Sequence, residues 1–221
     1  YTEKIIGQLN PFFTQYLQGG GSREGTGYGT AMKNLFRLYV LWEKSTGVDI
    51  ADLSTHAARS AIWETHAIVP TLNFLSPSGD HARDSTAELY DYHREYLMAL
   101  MYLYPNDQGA RVGKTLLANS SVTQMQQSSN FWADFLYDVP SVSGLPLATL
   151  NTSYYDGDTG NLFSRSSWNT DATYLHQIAG PYSESHAHRD QGSFVLWRGG
   201  WLFDDQNLRS QSGIEQDEPY H

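Results

Sequence analysis

The sequence predicts an α+β chain, with a helical region over residues 1–140 followed by an antiparallel β region over residues 147–221. Three observations predict it. Apolar residues recur at helical spacing throughout the first region. A Pro/Ser/Gly-rich linker at 138–146 then interrupts the chain, and beyond it the helical period gives way to short alternating runs. Those runs follow one another directly, which joins an all-α part to an antiparallel one.

The elements follow in order. Residues 3–18 read as a helix in two parts, because Pro11 lacks the amide hydrogen that an unbroken helix needs. Gly19, Gly20 and Gly21 end it, and the loop REGTGYG follows. From Thr30 the series Met32, Leu35, Phe36, Tyr39, Val40, Trp42 predicts a helix that stops at Gly47. The next, capped by Asp52 or Ser54, carries Ala57, Ala61, Ile62 and Thr65 to about Val69. Pro70 and the turn-rich residues 76–84 separate it from a long helix over 85–103, ended by Pro105. Residues 109–137 form a last helical region, less regular in its middle. Strands are expected at 147–154, 161–168, 172–178, 193–198 and 201–204, with Gly199 and Gly200 making a two-residue hairpin between the last pair.

At 221 residues the chain has room for one large domain or two modest ones. It has no cysteine, which removes disulfides and thiolate metal ligation. A net charge of -10 with no basic run argues against nucleic acid as a partner. It also supplies no global attraction for an acidic polymer, so such a ligand would need local arginines. No stretch approaches transmembrane length, and no signal-like segment opens the chain, so a targeting peptide is expected to be removed or to lie outside it. Six tryptophans and fifteen tyrosines suit a protein whose grooves stack sugar rings.

The densest chemistry lies in SESHAHRDQGSFVLWRGGWLFDD, residues 183–205. In an extended segment His186 and His188 point to one face, and a hairpin could return the Asp204 carboxylate towards them. Two imidazoles and a carboxylate suit either a zinc site or acid–base work, and also suit plain hydrogen-bonded histidines.

Three blocks in order resemble the heparinase II/III-like polysaccharide lyases. GSREGTGYG at 21–29 is similar to that family's Glu-Gly-x-x-Tyr loop. The segment FSRSSWNTDATYLHQIAGP at 163–181 resembles its Arg-Ser-x-Trp and Ala-x-Tyr-Leu strand pair. The third block is its His-x-His-x-Asp-x-x-Ser-Phe segment. The resemblance implies a partial (α/α) toroid joined to an antiparallel β-sandwich, both incomplete here, as in the middle of a larger enzyme or a short relative.

It further implies β-elimination on a 4-linked uronic acid polysaccharide, in a periplasmic or secreted setting, with a homodimer among the open assembly states. Tyr28 would protonate the leaving O4 and could also take the C5 proton. His186 would be base or carboxylate partner, and the family's upstream Asn or His would fall before Tyr1. Arg23, Glu24, Arg165 and Trp168 would contact substrate, with Arg83 a more distant cation, although a place in the buried core is the commoner role for a tryptophan such as Trp168. His188, Asp204 and His221 would ligate a structural zinc, with Asp190 orienting a histidine.

Rival readings stay open. A cupin would explain Gly180 and His-x-His, but Gly192 and Ser193 stand where its glutamate is needed. A glycoside hydrolase on a helical toroid would need paired carboxylates, nominally Glu24 and Asp80. A uronate-binding protein without turnover is the third.

Overall fold

A computed structural model describes residues 2–81, 86–137, 141–182 and 187–204. The entry helix is indeed in two parts, a π-helical stretch Thr2–Leu9 and then α1 (Asn10–Tyr16), with Pro11 in the first turn of α1, where its missing amide costs nothing. A 3₁₀ turn, Tyr28–Met32, leads into α2 (Lys33–Thr46), whose Phe36, Tyr39 and Val40 form its buried stripe.

Helix α3 (His56–Ala67) is the pivot of the molecule. Nine of its twelve residues are buried, polar ones included, because other elements cover it on nearly every side. Helix α4 (Asp91–Leu103) starts six residues later than the sequence predicts. The Tyr90 amide donates to His93 Nδ1 at 2.8 Å, and residues just before it are extended instead, with Leu75 N–H on Ala87 O at 2.8 Å and Leu89 N–H on Asn73 O at 2.9 Å. The expected last helical region divides into α5 (Gln108–Asn119), a 3₁₀ turn Ser128–Asn130 and the short α6 (Phe131–Leu136). No helix among the described residues is long and apolar enough to cross a membrane.

Five strands form one antiparallel sheet in sequence order: β1 (Ser153–Asp156), β2 (Asn161–Arg165), β3 (Tyr174–Ile178), β4 (Phe194–Trp197) and β5 (Trp201–Phe203). The first expected strand begins late, because Leu147–Thr149 is a 3₁₀ turn. Register sets Phe163 opposite His176 and His176 opposite Val195, so one face carries Phe163, Tyr174, His176, Val195 and Trp197, all buried. That face packs on the helical part rather than on a second sheet. Trp63 of α3 meets Phe163 edge-on, ring centroids 5.6 Å apart, and both belong to one hydrophobic core with Phe36, Tyr96, Leu100 and Trp197. The sandwich expected from the resemblance is therefore a single sheet among the described residues, with α3 as the covering layer.

One buried group in this core titrates unusually. Glu64 of α3 is fully buried, and neither carboxyl oxygen has a hydrogen-bond partner among the described residues. Burial penalises its charged form and pushes its pKa from 4.5 to about 8. The unfolded chain releases this proton near the lower value and the folded chain near the higher. Stability should therefore fall as pH rises between them, by up to about 1.4 kcal/mol per pH unit. Glu64→Gln, compared with the parent by urea unfolding at several pH values, should flatten that slope; an unchanged slope would contradict the assignment.

Candidate active site

The glycine-rich loop after α1 owes its path to close backbone contacts. The Thr26 amide donates to Ser78 O at 2.9 Å, and its hydroxyl donates to Ser76 O at 2.5 Å. Gly25 sits at φ +84°, and a Cβ there would lie 2.1 Å from Ser78 O. A Cβ on Gly27 would lie 2.3 Å from Asp80 O and 2.5 Å from the His81 ring. Only glycine fits at both positions, so residues 25–27 lie flat on 78–81. Gly25→Ala should cost about 1–3 kcal/mol from the left-handed conformation and the clash together. A thermal melt shifted by less than the scatter between repeats would show that the loop can rearrange.

This bracing delivers Tyr28, half-buried at the start of its 3₁₀ turn, to a cavity of about 420 Å³. Lys33 and Asn34 from α2, Tyr92 and Glu95 from α4, and Asn130 before α6 share its lining. Glu95 makes a close ion pair with Arg37, while Lys33 Nζ stands 3.7 Å from its other oxygen and donates to Asn34 Oδ1 at 3.2 Å. Asn130 Nδ2 donates at 2.8 Å to Asp91, whose carboxylate also takes the amides of Gln126 and Gln127. Those bonds pull the loop before α6 onto the first turn of α4 and so close that side of the cavity.

The glycine-rich loop also borders a much smaller pocket, about 30 Å³, with Arg23, Ser78, Asn161, His188 and Asp190 in its wall. There His188 Nε2 donates to Asp80 Oδ1 at 3.0 Å, both side chains wholly shielded from solvent. This bond ties the β region to the loop between α3 and α4. It also removes Asp80 as a solvent-facing carboxylate for the hydrolase reading. Arg23 is half-buried, its guanidinium lying over Phe12 at 5.6 Å and Tyr16 at 5.1 Å. Glu24 is half-buried, with its amide on Ser22 Oγ at 3.2 Å.

One expected substrate contact, Arg165, is corrected, and Trp168 is half-buried against it. Arg165 is 4 % exposed and points inward, donating to His66 O at 3.0 Å and Ile68 O at 2.9 Å. Trp168 lays its ring against that guanidinium, 3.9 Å away, and donates from Nε1 to Leu150 O at 3.1 Å. The physical reason is register: Arg165 falls on the same strand face as Phe163, the face that α3 covers. Burial pulls its pKa down to about 10, which leaves it cationic at neutral pH.

Burial likewise draws His56 to about 4 and His66, His93 and His176 to about 3, so these histidines are neutral structural groups. His176 bridges Ser76 Oγ at 3.0 Å and Asn161 Oδ1 at 2.8 Å.

Of the expected metal set, His188 is buried on Asp80, and Asp204 is exposed beside a separate hollow of about 250 Å³ that Asp190 also borders. Among the described residues no three His, Asp or Glu side chains gather as a metal site. His186, His221 and Arg83 lie outside the described residues, and so does the expected meeting of Tyr28 with His186.

The sequence reading did not single out Lys33, Asn34, Tyr92, Glu95 and Asn130, nor the Asp80–His188 pair. The only local signal was a loop tyrosine flanked by glycines, which marks one lining residue of the cavity and none of the others.

No family model matches the chain, and no curated protein matches its sequence. Solved structures do match its fold. Heparan sulfate lyase HepC from Pedobacter heparinus superposes with a TM-score of 0.61 at 16% identity, covering 96% of this chain and 29% of that one. A heparinase III superposes with a TM-score of 0.57 at 19% identity, covering 92% of this chain and 27% of its own. The chain thus shares part of the fold of these proteins and spans under a third of their length.

Proposed function

We propose that the chain belongs to a polysaccharide lyase that cleaves a 4-linked uronic acid polymer by β-elimination, with Tyr28 at the reacting centre. The observation that carries this reading is the braced loop that presents Tyr28 to a sugar-sized cavity lined by Lys33. In the reaction a base removes the C5 proton, the C4–O4 bond breaks, a C4=C5 double bond forms, and O4 takes up a proton. The C5 proton is weakly acidic, so the neighbouring carboxylate must be neutralised as charge develops. Tyr28 is the proton donor to O4 and could also remove the C5 proton. His186, from the β region, is the base or carboxylate partner. Arg23 and Glu24, on the same loop as Tyr28, belong to the wider substrate contact surface.

The reading includes an acidic polysaccharide as substrate and a periplasmic or secreted setting. It also includes a structural zinc on His188, Asp204 and His221, through which no step runs. Metal analysis of the purified chain tests the zinc. The reaction is tested by incubating the protein with alginate, heparan sulfate, chondroitin sulfate and other uronate polymers. The expected product carries a conjugated unsaturated uronate that absorbs in the near ultraviolet. New reducing ends without that absorbance would make the protein a hydrolase, and binding without either would make it a carbohydrate-binding protein.

A further inference from the structure

We infer that Lys33 selects the charge of the sugar that occupies the Tyr28 cavity, by pairing with an anionic ring substituent, a carboxylate or a sulfate. The inference rests on the reading of that cavity as the substrate site, and it names a contact that reading does not contain.

The argument is one of local charge. Among the residues that line the cavity and their ionic partners, two cations, Lys33 and Arg37, face one carboxylate, Glu95. Arg37 takes the close contact with Glu95 and stacks its guanidinium over the Trp132 ring at 4.6 Å, which fixes it in place. Lys33 stands off from the same carboxylate at 3.7 Å, beyond good hydrogen-bond range. The Arg37–Glu95 pair is thus close to neutral, and among the described residues the more distant Lys33 ammonium carries the cavity's net positive charge.

The neighbouring acids are already committed. Asp91 holds the amides of Gln126 and Gln127 and the side chain of Asn130, and Asp134 is paired with Arg94 at 2.7 Å.

Position reinforces charge. The Lys33 side chain is 19% exposed, shielded enough to strengthen an ion pair and open enough to meet a ligand. The chain's charge of -10 repels a polyanion at long range, but screening confines that field to ~8 Å at physiological salt. One local ammonium can then decide what is held. A lysine is a compact point charge without the planar fork of arginine, so it accepts a single anionic oxygen from either substituent. Asn34, Asn130, Tyr28 and Tyr92 around it supply the amides, hydroxyls and ring faces that a sugar ring uses.

The test is equilibrium binding by titration calorimetry with the full chain. A Tyr28→Phe background is used so that no ligand is consumed. The probes are an unsulfated oligouronate, the same oligomer with its carboxyls reduced to alcohols, and a sulfated oligouronate. Lys33→Met should weaken the anionic oligomers by roughly tenfold, the size of one charge-assisted contact, and leave the reduced oligomer unchanged. Lys33→Arg should restore most of the anionic binding, which separates lost charge from lost packing. Loss confined to the sulfated oligomer identifies sulfate as the partner, and equal loss on both anionic oligomers identifies the carboxylate. The inference is overturned if Lys33→Met weakens reduced and anionic oligomers alike, if it weakens neither, or if none of the probes binds. Near-ultraviolet product from the parent protein, combined with an indifferent Lys33, would leave the lyase reading standing. Charge-selective binding through Lys33 without any such product would do the reverse.

Discussion

Tyr28→Phe should lower the rate of unsaturated-product formation by roughly 10²–10⁴-fold, the usual worth of a positioned proton donor. The substitution removes one oxygen and keeps the ring. The path of residues 25–27 is set by the Thr26 bonds to Ser76 and Ser78 and by the close approach of Gly25 and Gly27 to residues 78–81. A phenyl ring in the same place keeps the cavity wall, so oligosaccharide binding and the melting temperature should change little. Initial rates read at the double-bond absorbance, beside a thermal melt, check both halves. A variant with the parent's rate would remove Tyr28 from the chemistry. A variant that has lost its fold would show instead that the hydroxyl is structural, and Tyr28→Trp would then be expected to fail in the same way.

Arg165→Ala is the second large effect, and it falls on stability. The guanidinium holds the carbonyls of His66 and Ile68, just where α3 gives way to extended chain ahead of Pro70. It is also sandwiched by aromatic rings, Trp168 at 3.9 Å and Tyr174 at 5.0 Å. Truncation leaves two buried acceptors without a donor, opens a cavity and strips the cation from both rings. Together these should destabilise the fold by about 3–5 kcal/mol. Urea unfolding followed by tryptophan fluorescence measures it. Arg165→Met, which refills the volume without the charge, should recover part of the loss. A stable Arg165→Ala protein that had lost uronate binding would return the residue to the substrate site.

The two cases differ in how far the sequence could see. Tyr28 was singled out by the resemblance of its loop to the lyase family; its flanking glycines signal only that the backbone there is pressed against something, and that signal is local. Arg165 was misread because its alternation with Phe163 shows only that the two share a face. Which face turns inward depends on α3, a hundred residues earlier. The His188–Asp80 bond spans 108 positions and has no local signature at all. The start of α4 was missed for a related reason: residues 86–90 carry side chains that a helix would accept, yet they pair with the extended segment after Pro70.

The sequence by itself determined the order of five helical regions and five strands, the break at Pro11 and the tight glycine loop that carries Tyr28. Each of these depends on neighbours within a turn or two, through hydrophobic period, missing amides or absent side chains. Only the tertiary structure decided that the sheet lies on α3, that Arg165 turns inward with Trp168 against it, and that Lys33, Asn34, Tyr92 and Asn130 converge on one hollow. Packing and electrostatics act between surfaces that the chain brings together from afar, and a linear reading carries no distance between them.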